Sequence, residues 1–364
     1  MTTIEKTEQT AGESALAAVM SFVFRSVDEV GAALNCALVV MGDKLGYYQS
    51  LVDDGPSTPS ELAEHTSSDE HYAREWLNSQ AAGSFVDYDP DTGRYTLPGA
   101  HAVALTDRTS PAYIVGLYQI AFGTMQDASR ITEAARTGDG MGWHEHTDDV
   151  HTGCEWFFKP SYDAHLVADW LPALGDDAVD KLTSGAHVAD IGCGHGASTI
   201  VMAEAFPNST FVGVDSHQES IATARERAQE AGVADRVRFE VSAAEAFGEE
   251  KLDFVTTFDC LHDMGDPVGA ARQVHNILKP DGVWMIVEPA AGDHVEDNLN
   301  PVGRAYYAFS TLLCTPCSLS QDVGLALGTQ AGPARIRDVV TTAGFSGFEL
   351  ASQTPFNNVF AVRP

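Results

Sequence analysis

Between Phe258 and Pro267 the chain reads Phe-Asp-Cys-Leu-His-Asp-Met-Gly-Asp-Pro, a run whose residue types could move a proton. An unperturbed histidine titrates near pH ~6.5, so His262 can be neutral at working pH and take a proton from a phenol or hydroxyl. Asp259 and Cys260 precede it and Asp263 follows it, so polar groups cluster where an apolar run comes to an end. A second set of residues lies upstream. Asp190-Ile-Gly-Cys-Gly-His-Gly196 places Gly192, Gly194 and Gly196 after an apolar stretch, and glycines leave room for a ligand to press against the main chain. The spacing is G-x-G-x-G, whereas a dinucleotide fingerprint needs G-x-G-x-x-G and a helix N-terminus for its pyrophosphate. Asp190 suits a cationic group such as an amino acid ammonium and would repel a phosphate. Further on, Phe211-Val-Gly-Val-Asp215 is a short apolar run ending in a carboxylate that can accept both hydroxyls of a ribose.

The elements that must position these residues follow a regular alternation. Glu219 to Ala231 has Ile221, Ala224 and Ala228 on one helical face, and Gly232 stops it. Arg236 to Val241 alternates like a strand, and Leu252 to Phe258 makes another. A helix is predicted from Pro267 to Leu278, ended by Lys279-Pro-Asp-Gly282, then a strand over Val283 to Val287. A last pair of strands is expected near Phe345 to Leu350 and Asn358 to Val362. Strands alternating with helices predict a parallel, doubly wound sheet whose ligands bind beyond the carboxyl ends of the strands, where every residue singled out above falls.

In its glycine loop, its two acids and the order of its strands, the chain over roughly 170 to 364 resembles the class I S-adenosyl-L-methionine (SAM)-dependent methyltransferases. The resemblance implies an α/β fold, a doubly wound seven-stranded Rossmann-like methyltransferase sheet, and SAM as cofactor. It implies a cofactor site of Asp190, Gly192, Gly194, Gly196, Asp215, Ser216, Ala243, Asp259 and Cys260, the last two on the methionine side. His262-Asp-Met-Gly-Asp266 is similar to the His-Asp-Trp-Ser-Asp element of dimeric small-molecule O-methyltransferases, whose histidine is the general base, although Met264 and Gly265 replace tryptophan and serine. That likeness gives His262, Asp263 and Glu288 catalytic roles, Glu288 orienting the histidine. It also makes the segment after the fifth strand close over a small-molecule methyl acceptor, with Tyr306 and Tyr307 as contacts. Transfer to nitrogen, carbon or sulfur, or a winged-helix transcriptional regulator that senses SAM, are the alternatives.

The N-terminal part reads differently. Asn35 to Leu51 is apolar and helical in pattern, and Ser57-Thr-Pro-Ser-Glu-Leu carries a helix start. Glu70 to Ala82 predicts a second helix, and Gly83 to Leu97 two short strands about Pro-Asp-Thr-Gly. Helix, turn, helix and hairpin make an N-terminal, mostly helical winged-helix domain. Around Glu70-His-Tyr-Ala-Arg-Glu-Trp76 one arginine is offset by two glutamates, and no Lys/Arg cluster is present to neutralise phosphates. Nucleic acid is therefore not the expected partner, and pairing of two subunits into a homodimer is. The expected organisation is a disordered tail over 1–13, a winged-helix and dimerisation domain over 14–108, a helical linker and lid over 109–170, and a SAM-binding domain over 171–364.

The lid region is rich in aromatics, Trp143, Trp156, Phe157, Phe158, Tyr162 and Trp170 among them. Aromatic faces suit a planar acceptor and the SAM cation, and Phe158 and Tyr162 are the expected substrate contacts there. His144, His146, His151 and Cys154 match no zinc spacing, and Cys314-Thr-Pro-Cys317 has no second pair, so no metal is expected and the latter are read as loop or lid cysteines. The 364 residues suffice for two cored domains, with no apolar run long enough to span a membrane and no basic, apolar leader. Six scattered cysteines suit a reducing cytoplasm. A net charge of -31 suits a salt-adapted surface, whose stability would rise with salt, with an ordinary acidic protein as the alternative.

Overall fold

The structure, a computed structural model, describes residues 3–248 and 251–364, with only the backbone described for residues 3–14 and 176. The tail expected over 1–13 concerns residues whose side chains, and for 1–2 whose backbone, lie outside that description. Two compact units divide the chain, Met1–Arg108 with Ala112–Phe122 and Thr109–Pro111 with Gly123–Pro364. The stretch 109–170 is shared between them.

In the first unit, the helical pattern read over Asn35 to Leu51 is split between two helices, Thr3–Lys44 and Tyr47–Asp53, because Gly46 between them has φ +71°, a left-handed conformation in which an α-helix cannot continue. Thr58 and Glu61 cap the helix Pro59–His65 reciprocally, the Thr58 N–H donating to Glu61 Oε2 at 2.8 Å. The helix Glu70–Ala82 then lays Trp76 against Tyr47 and Tyr48, edge-on with ring centroids 4.9 Å apart in both pairs. Strands β1 (Asp87–Asp89) and β2 (Arg94–Thr96) pair antiparallel as the wing. The Arg94 guanidinium grips both oxygens of Glu61 at 2.7 Å, which ties the wing to the helix and, with the capping bonds from Thr58, holds the Glu61 carboxyl down to about 2.

In the second unit, β3 (His187–Ile191), β4 (Thr210–Asp215), β5 (Val237–Val241), β6 (Leu252–Phe258), β7 (Leu278–Pro289), β8 (Gly347–Gln353) and β9 (Asn357–Arg363) form one sheet in the order β5-β4-β3-β6-β7-β9-β8. Pairing is parallel from β5 to β7, and β9 enters antiparallel between β7 and β8. This is the doubly wound α/β sheet predicted from the alternation, with the seven strands that the methyltransferase resemblance implies. The helix predicted from Pro267 ends at Ile277, next to its expected stop, and Lys279-Pro-Asp-Gly282 beyond it belongs to β7, whose pairing with β6 shifts register between Leu252 and Phe254. Apolar side chains fill both faces: Val188, Phe211 and Phe254 pack with Ile221 and Ala224 on one, Ala189, Val212 and Val255 with Ala271 and Val274 on the other. Burial on both sides is why these strands read as unbroken apolar runs. The chain leaves β3 for β4 on one side and returns to β6 on the other, so the crevice beyond the ends of β3, β4 and β6 lies at the switch of strand order.

Candidate active site

A cavity of about 750 Å³ opens at that switch, lined among others by Gly192, Gly194, Asp215, Ser216, Ala243, Asp259, Cys260 and Asp263. Gly192 has φ +76°, and a Cβ there would lie 2.5 Å from Cys260 Sγ. Gly196 has φ +78° at the start of the helix Ala197–Ala205, where a Cβ would lie 2.7 Å from the Phe239 ring. Gly196 does not line the cavity; its smallness brings helix and sheet together. The Gly194 N–H donates to Asp215 Oδ2 at 2.9 Å, and the His217 N–H donates to Oδ1 at 2.8 Å. Two backbone donors thus hold the Asp215 carboxylate at the end of β4, with lone pairs left on each oxygen.

Asp190, expected to face a cationic ligand, has another setting. It is fully buried and absent from the cavity wall, and its carboxylate accepts from Ser198 Oγ at 2.7 Å, Thr199 Oγ1 at 2.6 Å and Thr256 Oγ1 at 2.8 Å. Burial raises its carboxyl above the usual range against those three bonds. Asp190 therefore ties the start of the helix after the glycine loop to β6. Asp259 does face the cavity, in a left-handed conformation (φ +48°) costly for a residue with a side chain, and Asn357 Nδ2 donates to it at 2.9 Å. Burial, and then the charge of Glu288, push its carboxyl well above the carboxylate range.

Beyond Cys260, one turn of 3-10 helix, Leu261–Asp263, turns His262 inward onto β7. His262 Nδ1 lies 2.5 Å from Glu288 Oε2, while Glu288 Oε1 accepts the Leu261 N–H at 3.0 Å. His262 Nε2 lies 3.3 Å from Asp263 Oδ1. The trio read from the sequence is thus brought together, but His262 and Glu288 are only 2% and 3% exposed, and Asp263 alone reaches the cavity wall. Burial alone would lower the affinity of His262 for its proton; the Glu288 and Asp263 carboxylates outweigh it and hold the imidazolium well above the ordinary range. The expectation of a neutral His262 at working pH is corrected by these two carboxylates.

Phe158 and Tyr162 line the cavity with their rings stacked, centroids 6.4 Å apart. Tyr306 and Tyr307, expected to contact an acceptor, do not line it. Tyr306 is buried and its hydroxyl donates to the Phe356 carbonyl at 3.0 Å, and Tyr307 is half-buried. His144, His146, His151 and Cys154 do not gather as a ligand set among the described residues.

Known proteins share this architecture. Residues 182–322 match the family model described as Methyltransferase domain, and residues 32–107 match that of the Rv2258c-like winged HTH domain. The chain carries a methyltransferase domain behind a winged-helix domain. The chain is 34% identical over 129 residues to the ubiquinone biosynthesis O-methyltransferase of Pseudomonas aeruginosa, 34% of this chain and 51% of that one. It is 31% identical over 140 residues to the 27-O-demethylrifamycin SV methyltransferase of Amycolatopsis mediterranei, 36% of this chain and 51% of that one. The chain spans about half the length of these curated relatives. Two solved structures share the fold over nearly the whole chain: mitomycin 7-O-methyltransferase (TM-score 0.66, 19% identity, 98% of this chain and 100% of that one) and human N-acetylserotonin methyltransferase in complex with SAM (0.65, 16%, 92% and 95%).

Other residues of the methyltransferase domain's cavity were not found in the sequence. His195, inside the glycine motif, lies 3.0 Å from Glu155, which also binds Arg227. His151 stacks on His217 with centroids 5.0 Å apart, and burial, then the neighbouring His217, push it down to about 4. Gln321 accepts the Gly265 N–H at 3.0 Å and donates to the Asp263 carbonyl at 2.9 Å, bracing the turn after His262. Only the histidine inside G-x-G-x-G carried a positional signal; the others come from segments whose spacing has no motif.

Proposed function

We propose that the chain is a class I SAM-dependent methyltransferase that methylates a small-molecule acceptor at oxygen. The observation that carries this reading is the Asp215 carboxylate, held by the Gly194 and His217 N–H groups at the lip of a glycine-lined cavity, with acceptor capacity left for two ribose hydroxyls. The fold and its relatives, two of them O-methyltransferases by name, support the same assignment. Asp215 and the glycine loop would hold SAM, which would supply an electrophilic methyl group to an acceptor oxygen and leave as S-adenosylhomocysteine. The acceptor's proton goes to the Glu288–His262–Asp263 unit through the Asp263 carboxylate, the one member of the three on the cavity wall, with the His262 ring 3.3 Å behind it. Placement of acceptor and sulfonium in line supplies much of the acceleration, and the Phe158 and Tyr162 faces suit a planar acceptor or the sulfonium.

The proposal extends to a homodimer built on the winged-helix unit. The helix Thr3–Lys44 exposes Leu16, Val19, Phe22, Phe24, Val27, Val30 and Leu34, an apolar surface that a second copy would cover. Among the described residues no helix is long and apolar enough to cross a membrane. A cytoplasmic location belongs to the same reading, since six free cysteines keep best in a reducing compartment.

Calorimetric titration with SAM tests the assignment, with NAD as the contrasting ligand. Asp215→Ala should weaken SAM binding roughly tenfold to a hundredfold by removing charged hydrogen bonds, and phenols supplied with SAM should release S-adenosylhomocysteine. A chain that prefers NAD, or binds SAM equally well without Asp215, does not work this way.

A further inference from the structure

Glu155 stands apart from the catalytic trio and joins three elements around the cavity. The helix Asp148–Ser161 turns His151, Cys154, Glu155 and Phe158 to the cavity, the i, i+3, i+4 and i+7 positions of one face, and Tyr162 follows one turn on in the π-helical stretch Tyr162–Trp170. Glu155 Oε2 lies 3.0 Å from His195 Nδ1, inside the glycine loop, and Oε1 accepts from the Arg227 guanidinium, on the helix Gln218–Glu230 that follows Asp215. The Glu155 and His195 side chains are 13% and 17% exposed, so their contact is shielded from water and salt as a surface pair is not. Burial opposes the charge of Glu155; the bonds from His195 and Arg227 outweigh it and hold the carboxyl below its ordinary range, which keeps it ionised at neutral pH.

Both donors that hold Asp215 lie beside contacts of this helix. Gly194, whose N–H donates to Asp215 Oδ2, directly precedes His195. His217, whose N–H donates to Oδ1, stacks its ring on His151, one turn before Glu155, with centroids 5.0 Å apart. A shift of the helix face would pull on the glycine loop at His195 and on His217 together, and whatever steadies the loop steadies the helix.

We infer that Glu155 is a positioning residue through which bound SAM holds the helix Asp148–Ser161 in place, and with it the Phe158 and Tyr162 rings on the acceptor side. The inference rests on the methyltransferase reading above. SAM seated on Asp215 and against the glycine loop fixes His195, His195 fixes Glu155, and the aromatic wall is set once the cofactor is present. By linkage the dependence runs both ways, so a helix freed from the loop costs the chain affinity for SAM.

Hydrogen exchange of the full-length chain, with and without saturating SAM, tests the link. In the parent, SAM should slow exchange of the glycine-loop amides and also, by about fivefold or more, of the amides of the helix Asp148–Ser161. In Glu155→Gln the slowing should persist at the loop and vanish from the helix, and calorimetry should show SAM binding weakened by a like factor. A Glu155 that only supported the fold would let the helix exchange faster by the same ratio with and without SAM, and that result overturns the link. If Glu155→Gln does not melt cooperatively, His195→Ala decides, and a helix still fully protected by SAM in that variant overturns the link. SAM binding to a parent whose helix does not respond overturns the link alone, whereas no SAM binding at all overturns the methyltransferase reading and the link with it.

Discussion

Two ion pairs, one in each unit, show how surroundings decide what a charge does. On the winged-helix surface Arg94 and Glu61 meet with side chains 40% and 39% exposed, and the carboxyl is held down to about 2. Water shares in solvating both ends, so the pair positions the wing at little cost and contributes little stability. In the methyltransferase domain His262 and Glu288 meet at 2.5 Å with side chains 3% and 4% exposed. There each charge has left water, and the pair is tolerable only because Glu288 also takes the Leu261 N–H and Asp263 stands on the far side of the ring. The surface pair is a fastener, and the buried pair is a store of electrostatic free energy placed beside a cavity.

Breaking the buried pair should have the largest effect. Glu288→Gln leaves the imidazolium against one carboxylate instead of two and is expected to cost about 3–5 kcal/mol, measured by denaturant unfolding. Adding His262→Gln should recover a large part of that loss, and a double variant no more stable than Glu288→Gln would show that the pair is not electrostatically coupled. Asp190→Asn comes next, at about 1–3 kcal/mol, because the amide cannot accept from three hydroxyls as the carboxylate does. If Asp190 held the ligand instead, SAM affinity would fall while the melting temperature stayed put. The smallest effect belongs to Glu61→Gln, which should leave the melting temperature at neutral pH close to the parent's. Because the Glu61 carboxyl is held below its ordinary 4.5, its contribution is present above that pH and lost as pH falls through about 2. The difference in melting temperature between parent and Glu61→Gln should therefore shrink between about pH 4.5 and pH 2, and in molar salt as well.

The strands and their order were legible because a parallel sheet covered on both faces writes unbroken apolar runs, and because each run ends where a polar residue meets the ligand crevice. Asp215 and the glycine loop could be read for that reason. Asp190 could not, since its partners Ser198, Thr199 and Thr256 arrive from a helix and a neighbouring strand, and spacing along β3 says nothing about them. Tyr306 was misjudged because a tyrosine can aim its hydroxyl at solvent, ligand or backbone, and here the Phe356 carbonyl takes it. The state of His262 was hidden for a related reason: its residue type gives the ordinary titration range, and only the fold reveals that Glu288 and Asp263 flank one ring. In the winged-helix unit the helix start and hairpin were plain from Thr58, Glu61 and the Pro-Asp-Thr-Gly turn, whereas the break at Gly46 depended on a backbone conformation that glycine allows but does not demand.

Asp259, on the wall of the cavity, keeps its left-handed turn with the help of Asn357, 98 positions later and on β9. β8 meets the rest of the sheet only through β9. In time, then, the pocket is expected to be finished last: the glycine loop and Asp215 come together from neighbouring strands, whereas the Asp259 side draws on a strand that closes a long loop. During refolding, SAM binding should return with the slowest phase that protects the amides of β9, and binding that returns before that protection would show the wall can stand without it.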